Sequence, residues 1–355
     1  MKRILLLIDN MGQGGAERQL SYLAIELKRT GCDVRLVKFY DDDNFYERDL
    51  ITNDIETESI SIGQSSLKRP LVIAKLVRQW HPDMVVAYKT GTTLAACIAK
   101  FFTRFNLVVS ERNTTQRLSR KERVKFFLYR FADHIVPNSF SQAEFISKHF
   151  PKLMPRVTVI TNMIDMDKFH PAVNHIEGEV LNIITAARIA PQKNVLNYLD
   201  AIALLRDRGV KAHFHWYGHP DNKPYFTEVV DKQKGLGLED MITFHGATQD
   251  IADLYRKMDI FCLPSLYEGF PNVLCEAMAC GLPAIATAVC DSARILTDTR
   301  FHADPSNPTS IADALERMIT LTTKERSSIG KRNTERISDL CSAKAFSDKY
   351  LSLLD

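Results

Sequence analysis

The strongest constraint on how this chain folds is an alternation that runs, breaks once and restarts. Short apolar runs of strand length are followed by amphipathic stretches of helix length. Residues 2–9, 34–39, 83–88, 107–110 and 134–137 read as strands, and 16–30, 66–80, 92–102 and 118–131 as helices. In the first helix Leu20, Leu23, Ala24 and Leu27 share a face and Gly31 supplies the stop. Residues 41–58 read as acidic and irregular. Repeated strand–helix units imply a parallel sheet covered by helices on both faces. Residues 162–179 lack periodicity, contain His170-Pro171 and read as a linker. The alternation then resumes with strands at 181–187, 212–217, 242–244, 259–263 and 284–286 and helices at 195–208, 225–234, 250–258 and 272–280. Gly281 and Pro283 close the last of these helices, and from residue 311 the chain is mostly helical. A length of 355 residues fits two domains. The expected architecture is two doubly wound α/β domains, residues 1–168 and 169–335, facing a cleft. A C-terminal helix of about residues 336–355 is placed to pack back onto the first domain. In such sheets ligands bind beyond the carboxyl ends of the strands.

Composition removes several classes. Apolar residues at 45% and charged residues at 25% are ordinary for a folded globular chain, which excludes disordered, collagenous and coiled-coil proteins. No apolar run approaches the ~18–20 residues of a membrane span. The run Ile4 to Ile8 follows Met1-Lys2-Arg3 but leads straight into Asp9 and Asn10, so it is not read as a secretory signal. Seven cysteines with no CxxC spacing point to a reducing compartment, free thiols and no structural zinc. The formal charge of +3 hides an asymmetry: residues 61–160 carry 17 Lys/Arg against 5 Asp/Glu, and residues 171–355 carry 20 against 24. A basic half suggests an anionic partner.

Three loops at strand ends carry candidate chemistry. The first, Gly12-Gln-Gly14-Gly15-Ala-Glu17, joins a strand to a helix N-terminus, where free N–H groups suit phosphate. It lacks both the GxGxxG and the P-loop spacing, and it would serve equally as a plain turn. In the second, Arg188 ends a strand and Lys193 precedes a helix. A guanidinium fork and a lysine point charge there can hold a diphosphate, although two solvated surface cations would look the same in sequence. The third is the most informative: Pro264-Ser-Leu-Tyr-Glu268-Gly-Phe-Pro271-Asn-Val-Leu-Cys-Glu276-Ala-Met-Ala-Cys-Gly281-Leu-Pro283. It offers two carboxylates for hydroxyls, Glu268 before the helix and Glu276 one turn inside it, and N–H donors at 270–273 expected to be free. Charge stabilisation of the helix start would account for Glu276 alone.

The Glu268-x7-Glu276 spacing, with its Glu-Gly-Phe-Pro-Asn core and Glu-Ala-Met-Ala-Cys-Gly-Leu-Pro tail, resembles the signature of glycosyltransferase family 4, retaining enzymes of GT-B fold with two Rossmann-like domains. The Gly-Gly-Ala-Glu near the N-terminus, Arg188-x4-Lys193, and Asn162-Met-Ile-Asp165 with Phe169 match the same family in the same order. The resemblance implies an acceptor-side first domain and a second domain that binds a nucleotide-sugar donor, expected to be UDP-linked. It implies that Gly14 and Gly15 approach the donor diphosphate or reacting centre. Arg188 and Lys193 would stabilise the leaving group. Glu276 would take the ribose hydroxyls, and Glu268, with Phe270, Pro271, Asn272 and Val273, would hold the donor sugar, Glu268 standing with the catalytic pair. Gly218 and His245 would lie near the nucleoside. The implied cofactor set is empty and no metal is expected, so Asp165-Met-Asp167 reads as linker. Many relatives carry a histidine where this chain has Ser110-Glu111-Arg112-Asn113-Thr114; Glu111 or Arg112 is the acceptor-side candidate in its place.

The basic stretch 117–131 mixes cations with Phe126, Phe127 and Phe131 at helical spacing. It suits an anionic membrane surface, and with it a glycan or lipid-linked acceptor at the cytoplasmic face. Burial of the three phenylalanines in a core is the competing reading. No nucleic-acid module is recognisable. His213 and His215 alternate along a strand and read as one sheet face, not a metal site. Two other activities share these loops: a sugar-nucleotide epimerase, which would isomerise the donor alone, and a non-catalytic nucleotide-binding protein, which would release no nucleotide. A nicotinamide oxidoreductase would need a different glycine spacing.

Overall fold

The computed structural model describes residues 1–12, 14–40, 44–60, 66–112, 114–173, 177–248 and 250–354. Gln13, Asn113 and positions 41–43, all named above, lie outside the described residues. The chain divides into two units: Met1–Met163 together with Ala343–Asp355, and Ile164–Ser342.

The first unit is a parallel six-stranded sheet of β1 (Arg3–Ile8), β2 (Asp33–Lys38), β3 (Glu56–Ser59), β4 (Met84–Tyr88), β5 (Leu107–Glu111) and β6 (His134–Pro137). Its order is β3-β2-β1-β4-β5-β6, so the winding reverses between β1 and β4. Successive side chains of β1 serve opposite faces, as a pleated strand requires. Ile4, Leu6 and Ile8 join Leu20, Leu23 and Leu27 of the helix Gly15–Arg29, whereas Leu5 and Leu7 join Ile73, Val77 and Phe126 on the other side. That double burial is why β1 is continuously apolar rather than alternating. The edge strand β3 and the helix Glu47–Thr52 occupy part of the stretch read as irregular; β3 is polar and exposed on both faces, so no pattern marks it.

The second unit repeats the plan with β7 (Leu181–Ala186), β8 (Ala212–Tyr217), β9 (Ile242–His245), β10 (Ile260–Leu263), β11 (Ala284–Thr287) and the two-residue β12 (His302–Ala303), ordered β12-β11-β10-β7-β8-β9. It starts at Ile164 because the Ile164 N–H donates to Cys341 O at 2.9 Å and Phe169 is buried in its core. The expected terminal helix is two helices, Thr323–Cys341 and Ala343–Leu351, broken at the extended Ser342. The former stays in the second unit. The latter returns to the first, burying Phe346 and Tyr350 against the β1 core, with Tyr88 Oη and Tyr350 Oη 2.9 Å apart.

One close approach fixes the helix that follows the third loop. A Cβ at Gly330 would strike the Gly281 carbonyl oxygen, so only glycine lets Thr323–Cys341 settle on the turn ending Asn272–Ala279. Asn333 Nδ2 then donates to Leu282 O at 2.9 Å.

Candidate active site

The loops after β7 and β10 are stitched together at the carboxyl edge of the second sheet. After β7 the chain makes a single 3-10 turn, Pro191–Lys193, and enters the helix Val195–Asp207 through Asn194, whose left-handed φ of 62° asparagine tolerates well. Asn194 Nδ2 donates to Pro264 O at 3.0 Å and Pro305 O at 2.7 Å. Gln192 Nε2 donates to Tyr267 O at 3.0 Å, and the Leu266 N–H returns to Gln192 O at 2.9 Å. From the end of β11, Thr287 Oγ1 donates to Ser265 O at 2.5 Å.

Within this frame Lys193 Nζ lies 2.6 Å from Glu268 Oε1, and Ser265 Oγ donates to the same oxygen at 2.6 Å. Glu268 is only 6% exposed, so its charge is held by a cation and a hydroxyl in place of water. A buried carboxylate with two donors on one oxygen is orientationally fixed. Its second oxygen is the one left for another partner. Arg188, by contrast, is exposed and engages Asp221 in the loop after β8. That loop is tied to the first by Ile189 N–H to His219 O at 2.9 Å and Asp221 N–H to Ile189 O at 3.0 Å. Gly218 is required there, since a Cβ would strike the Ala187 carbonyl, which already accepts from Trp216 Nε1 at 2.8 Å.

His245 ends β9 and stacks on Tyr217, with centroids 4.2 Å apart and planes within 7°. Its Nε2 is 3.2 Å from His215 Nδ1, and His215 stacks in turn on His213 at 4.7 Å. Burial, then the neighbouring His213 and His245, pushes His215 down to about 4, and burial lowers His245 as well. The His215–His245 pair is therefore uncharged at neutral pH and presents flat polarizable faces. Among the described residues no group of three or more His, Cys, Asp or Glu is arranged to hold a metal ion.

The third loop differs from expectation in one respect. The N–H groups of 270–273 are not all free: that of Asn272 donates to Phe270 O at 3.0 Å, because the chain tightens before the helix. Phe270 and Pro271 are buried, while Asn272 and Val273 are half-buried at the first turn. Glu276 sits one turn inside and is 4% exposed. In the first unit Gly14 caps the helix Gly15–Arg29. A Cβ there would strike the Glu17 carboxylate, which is ion-paired with Lys89, whereas Gly15 has open space around it. Glu111, expected on the acceptor side, is buried with Oε2 2.8 Å from Lys125 Nζ, which it shares with Glu122, and accepting from Tyr129 Oη at 3.3 Å. Arg112 instead lies over the Tyr88 ring at 4.8 Å. Sequence reasoning missed Ser265, Asn194 and Asp221. The asparagine before a helix was the readable signal; the other two gain meaning only from partners distant in the chain.

The profile for "Glycosyl transferases group 1" matches residues 166–336, and that for "Glycosyltransferase Family 4" matches residues 13–168. The chain is a family 4 glycosyltransferase. Among curated relatives of this glycosyltransferase is the GalNAc-alpha-(1->4)-GalNAc-alpha-(1->3)-diNAcBac-PP-undecaprenol alpha-1,4-N-acetyl-D-galactosaminyltransferase of Campylobacter jejuni, 25% identical over 291 residues, covering 78% of this chain and 77% of the relative. A glycosyltransferase from Rickettsia africae superposes with a TM-score of 0.85 at 17% identity, covering 99% and 97% of the two chains. Anabaena HepE in complex with UDP and glucose superposes at 0.82 with 22% identity, covering 100% and 99%. Two doubly wound units of this kind make the GT-B fold of the enzyme.

Proposed function

We propose that this glycosyltransferase moves a sugar from a UDP-linked donor, with retention of configuration, to a glycan acceptor carried on a diphospholipid at the inner face of the cell membrane. The observation that carries the reading is the Lys193–Glu268 pair, fixed by Ser265 at the carboxyl edge of the second sheet, in the loop that leads into the helix Asn272–Ala279. Lys193 and Arg188 stabilise the departing diphosphate, and no step is assigned to a bound metal ion. Preorganised cations at developing negative charge commonly supply most of the rate enhancement in such a reaction. A double displacement would need a free carboxylate beside the anomeric carbon. Likeness to family 4 favours instead a same-face transfer in which the departing phosphate takes the acceptor's proton. Glu268 then holds the donor sugar, with 270–273 beside it, and Glu276 takes the ribose hydroxyls. Gly218 and His245 line the approach to the donor. The Campylobacter relative acts on an undecaprenol diphosphate and the Anabaena neighbour holds UDP, which supports both halves of the reading.

A panel of nucleotide sugars scored by thermal stabilisation tests it, since a true ligand raises apparent stability by mass action. A UDP-sugar is expected to give the largest shift, and the product's anomeric configuration should match the donor's. Glu276→Ala should abolish that shift and lower kcat/KM by about 10²-fold, the worth of two charge-assisted hydrogen bonds. Isomerised donor in the absence of acceptor would replace this reading with an epimerase.

The membrane half rests on a surface of the first unit. In the helix Arg120–Tyr129 and the turn after it the phenylalanines divide: Phe126 is buried, but Phe127 is 57% exposed. Phe127 meets the half-buried Phe131 at 6.4 Å, and Phe131 meets the exposed Phe101 at 4.7 Å, with the Arg130 guanidinium over both 127 and 131. Among the described residues no helix is long and apolar enough to cross a membrane. Sedimentation with vesicles containing anionic lipid should capture the protein, vesicles of neutral lipid should not, and Phe127→Glu should weaken capture about tenfold.

A further inference from the structure

In the first unit the half-buried Arg112 stands where two helix starts meet. Both terminal nitrogens of Arg112 are shielded from solvent and have no hydrogen-bond acceptor among the described residues. Arg112 lines a cavity of about 250 Å³ together with Ala16, Lys89, Thr90 and Ser110. Ala16 belongs to the first turn of the helix Gly15–Arg29, and Thr90 is the first residue of the helix Thr90–Ala99. Neither helix start has a side-chain cap hydrogen bond, and the first carries Glu17 in its first turn whereas the second has no acidic residue there. Lys89, which links β4 to the second of these helices, is held at a left-handed φ of 67°.

Of the two cations that line the cavity, Lys89 and Arg112, only Arg112 has no carboxylate partner among the described residues. Lys89 is paired with Glu17 and also donates to Asn10 Oδ1 at 3.0 Å. Glu111, which also lines the cavity, shares Lys125 with Glu122. Arg112 rests on the face of Tyr88, and shielded guanidinium nitrogens without an acceptor are costly unless a ligand supplies one. A guanidinium fork with two helix N-termini matches a tetrahedral oxyanion with several acceptor oxygens better than it matches a neutral hydroxyl.

We propose that Arg112 is the residue of the first unit that binds phosphate, and that the phosphate it takes belongs to the acceptor: a sugar carried on a diphosphate. The assignment of the phosphate to the acceptor rests on the proposed function, in which Arg188 and Lys193 of the second unit hold the donor's diphosphate. The anion site itself stands on Arg112, the two helix starts and the cavity.

The test is calorimetry of inorganic pyrophosphate on the full chain with UDP present at saturation, so that the donor's own phosphate site is filled. Wild type should bind. Arg112→Gln should bind at least about tenfold more weakly, and Arg112→Lys should fall between them, because it keeps the charge and loses the fork. UDP affinity should be the same in all three. With substrates, Arg112→Gln should raise KM about tenfold for a sugar diphosphate of decanol and leave KM for the neutral decyl glycoside of the same sugar unchanged. Ligand-free Arg112→Gln should melt no lower than wild type, since it removes shielded nitrogens that have no acceptor. Equal pyrophosphate affinity in wild type and Arg112→Gln would overturn the site, as would a lower melting temperature of the variant, which would make Arg112 a structural residue. A parallel fall in UDP affinity would overturn the assignment to the acceptor. Pyrophosphate binding that depends on Arg112 in a protein that binds no UDP would uphold the anion site while removing the donor reading.

Discussion

Lys193→Ala is expected to lower the turnover of sugar transfer by about 10²- to 10³-fold at saturating donor, the range for loss of one preorganised stabiliser of developing charge. The ammonium group is held 2.6 Å from Glu268 Oε1 inside a frame closed by Asn194, Gln192 and Thr287, so it needs no rearrangement to act. The substitution also strands Glu268, whose remaining described donor on that oxygen is Ser265 Oγ. Breaking a buried pair from one side costs about 3 kcal/mol or more, so a lower melting temperature should accompany the loss of rate. The two effects separate in Lys193→Ala/Glu268→Gln. The double variant should recover much of the stability, because no uncompensated charge remains, and none of the turnover. Single-turnover transfer and a thermal melt on the three proteins make the check. Wild-type turnover in Lys193→Ala would remove the leaving-group role.

Tyr350→Ala should destabilise the first unit by about 3–5 kcal/mol, the usual cost of emptying a large aromatic site in a core. Tyr350 is fully buried, contacts Phe346 edge-on at 5.3 Å, and shares a hydrogen bond with Tyr88 Oη. Tyr350→Phe retains the packing and loses only that bond, so it should cost about 1 kcal/mol. Urea unfolding followed by hydrogen exchange should show the transition of 1–163 moving to lower urea in Tyr350→Ala, with that of 164–342 little changed. Equal shifts of both would mean that the terminal helix does not belong to the first unit's core.

Most of the strand and helix pattern is legible in the chain because both sheets are covered on two faces, which forces continuous apolar runs such as Ile4 to Ile8. The strands that escape are the edge strand β3, exposed on both faces, and β12, two residues long; neither carries a periodic signal. The terminal helix reads as one piece because nothing in 336–355 marks the break at Ser342, which exists because its two halves pack on different units.

The candidate site divides the same way. The spacing of Glu268 and Glu276, the Pro-Asn entry to their helix and the Arg188-x4-Lys193 loop are local features, so the chain alone identified the family and singled out these residues as candidates. Which residues meet was decided by the sheet. Lys193 and Glu268 are 75 positions apart and meet only because β7 and β10 are neighbours, whereas Arg188, on the same loop as Lys193, turns to Asp221 because β7 also borders β8. The same holds in the first unit: adjacent in sequence at the end of β5, Glu111 turns to Lys125 and Arg112 is left beside two helix starts. Charge and spacing are properties of the chain, but the partner of each charge depends on strand order, which brings together residues that no local pattern connects.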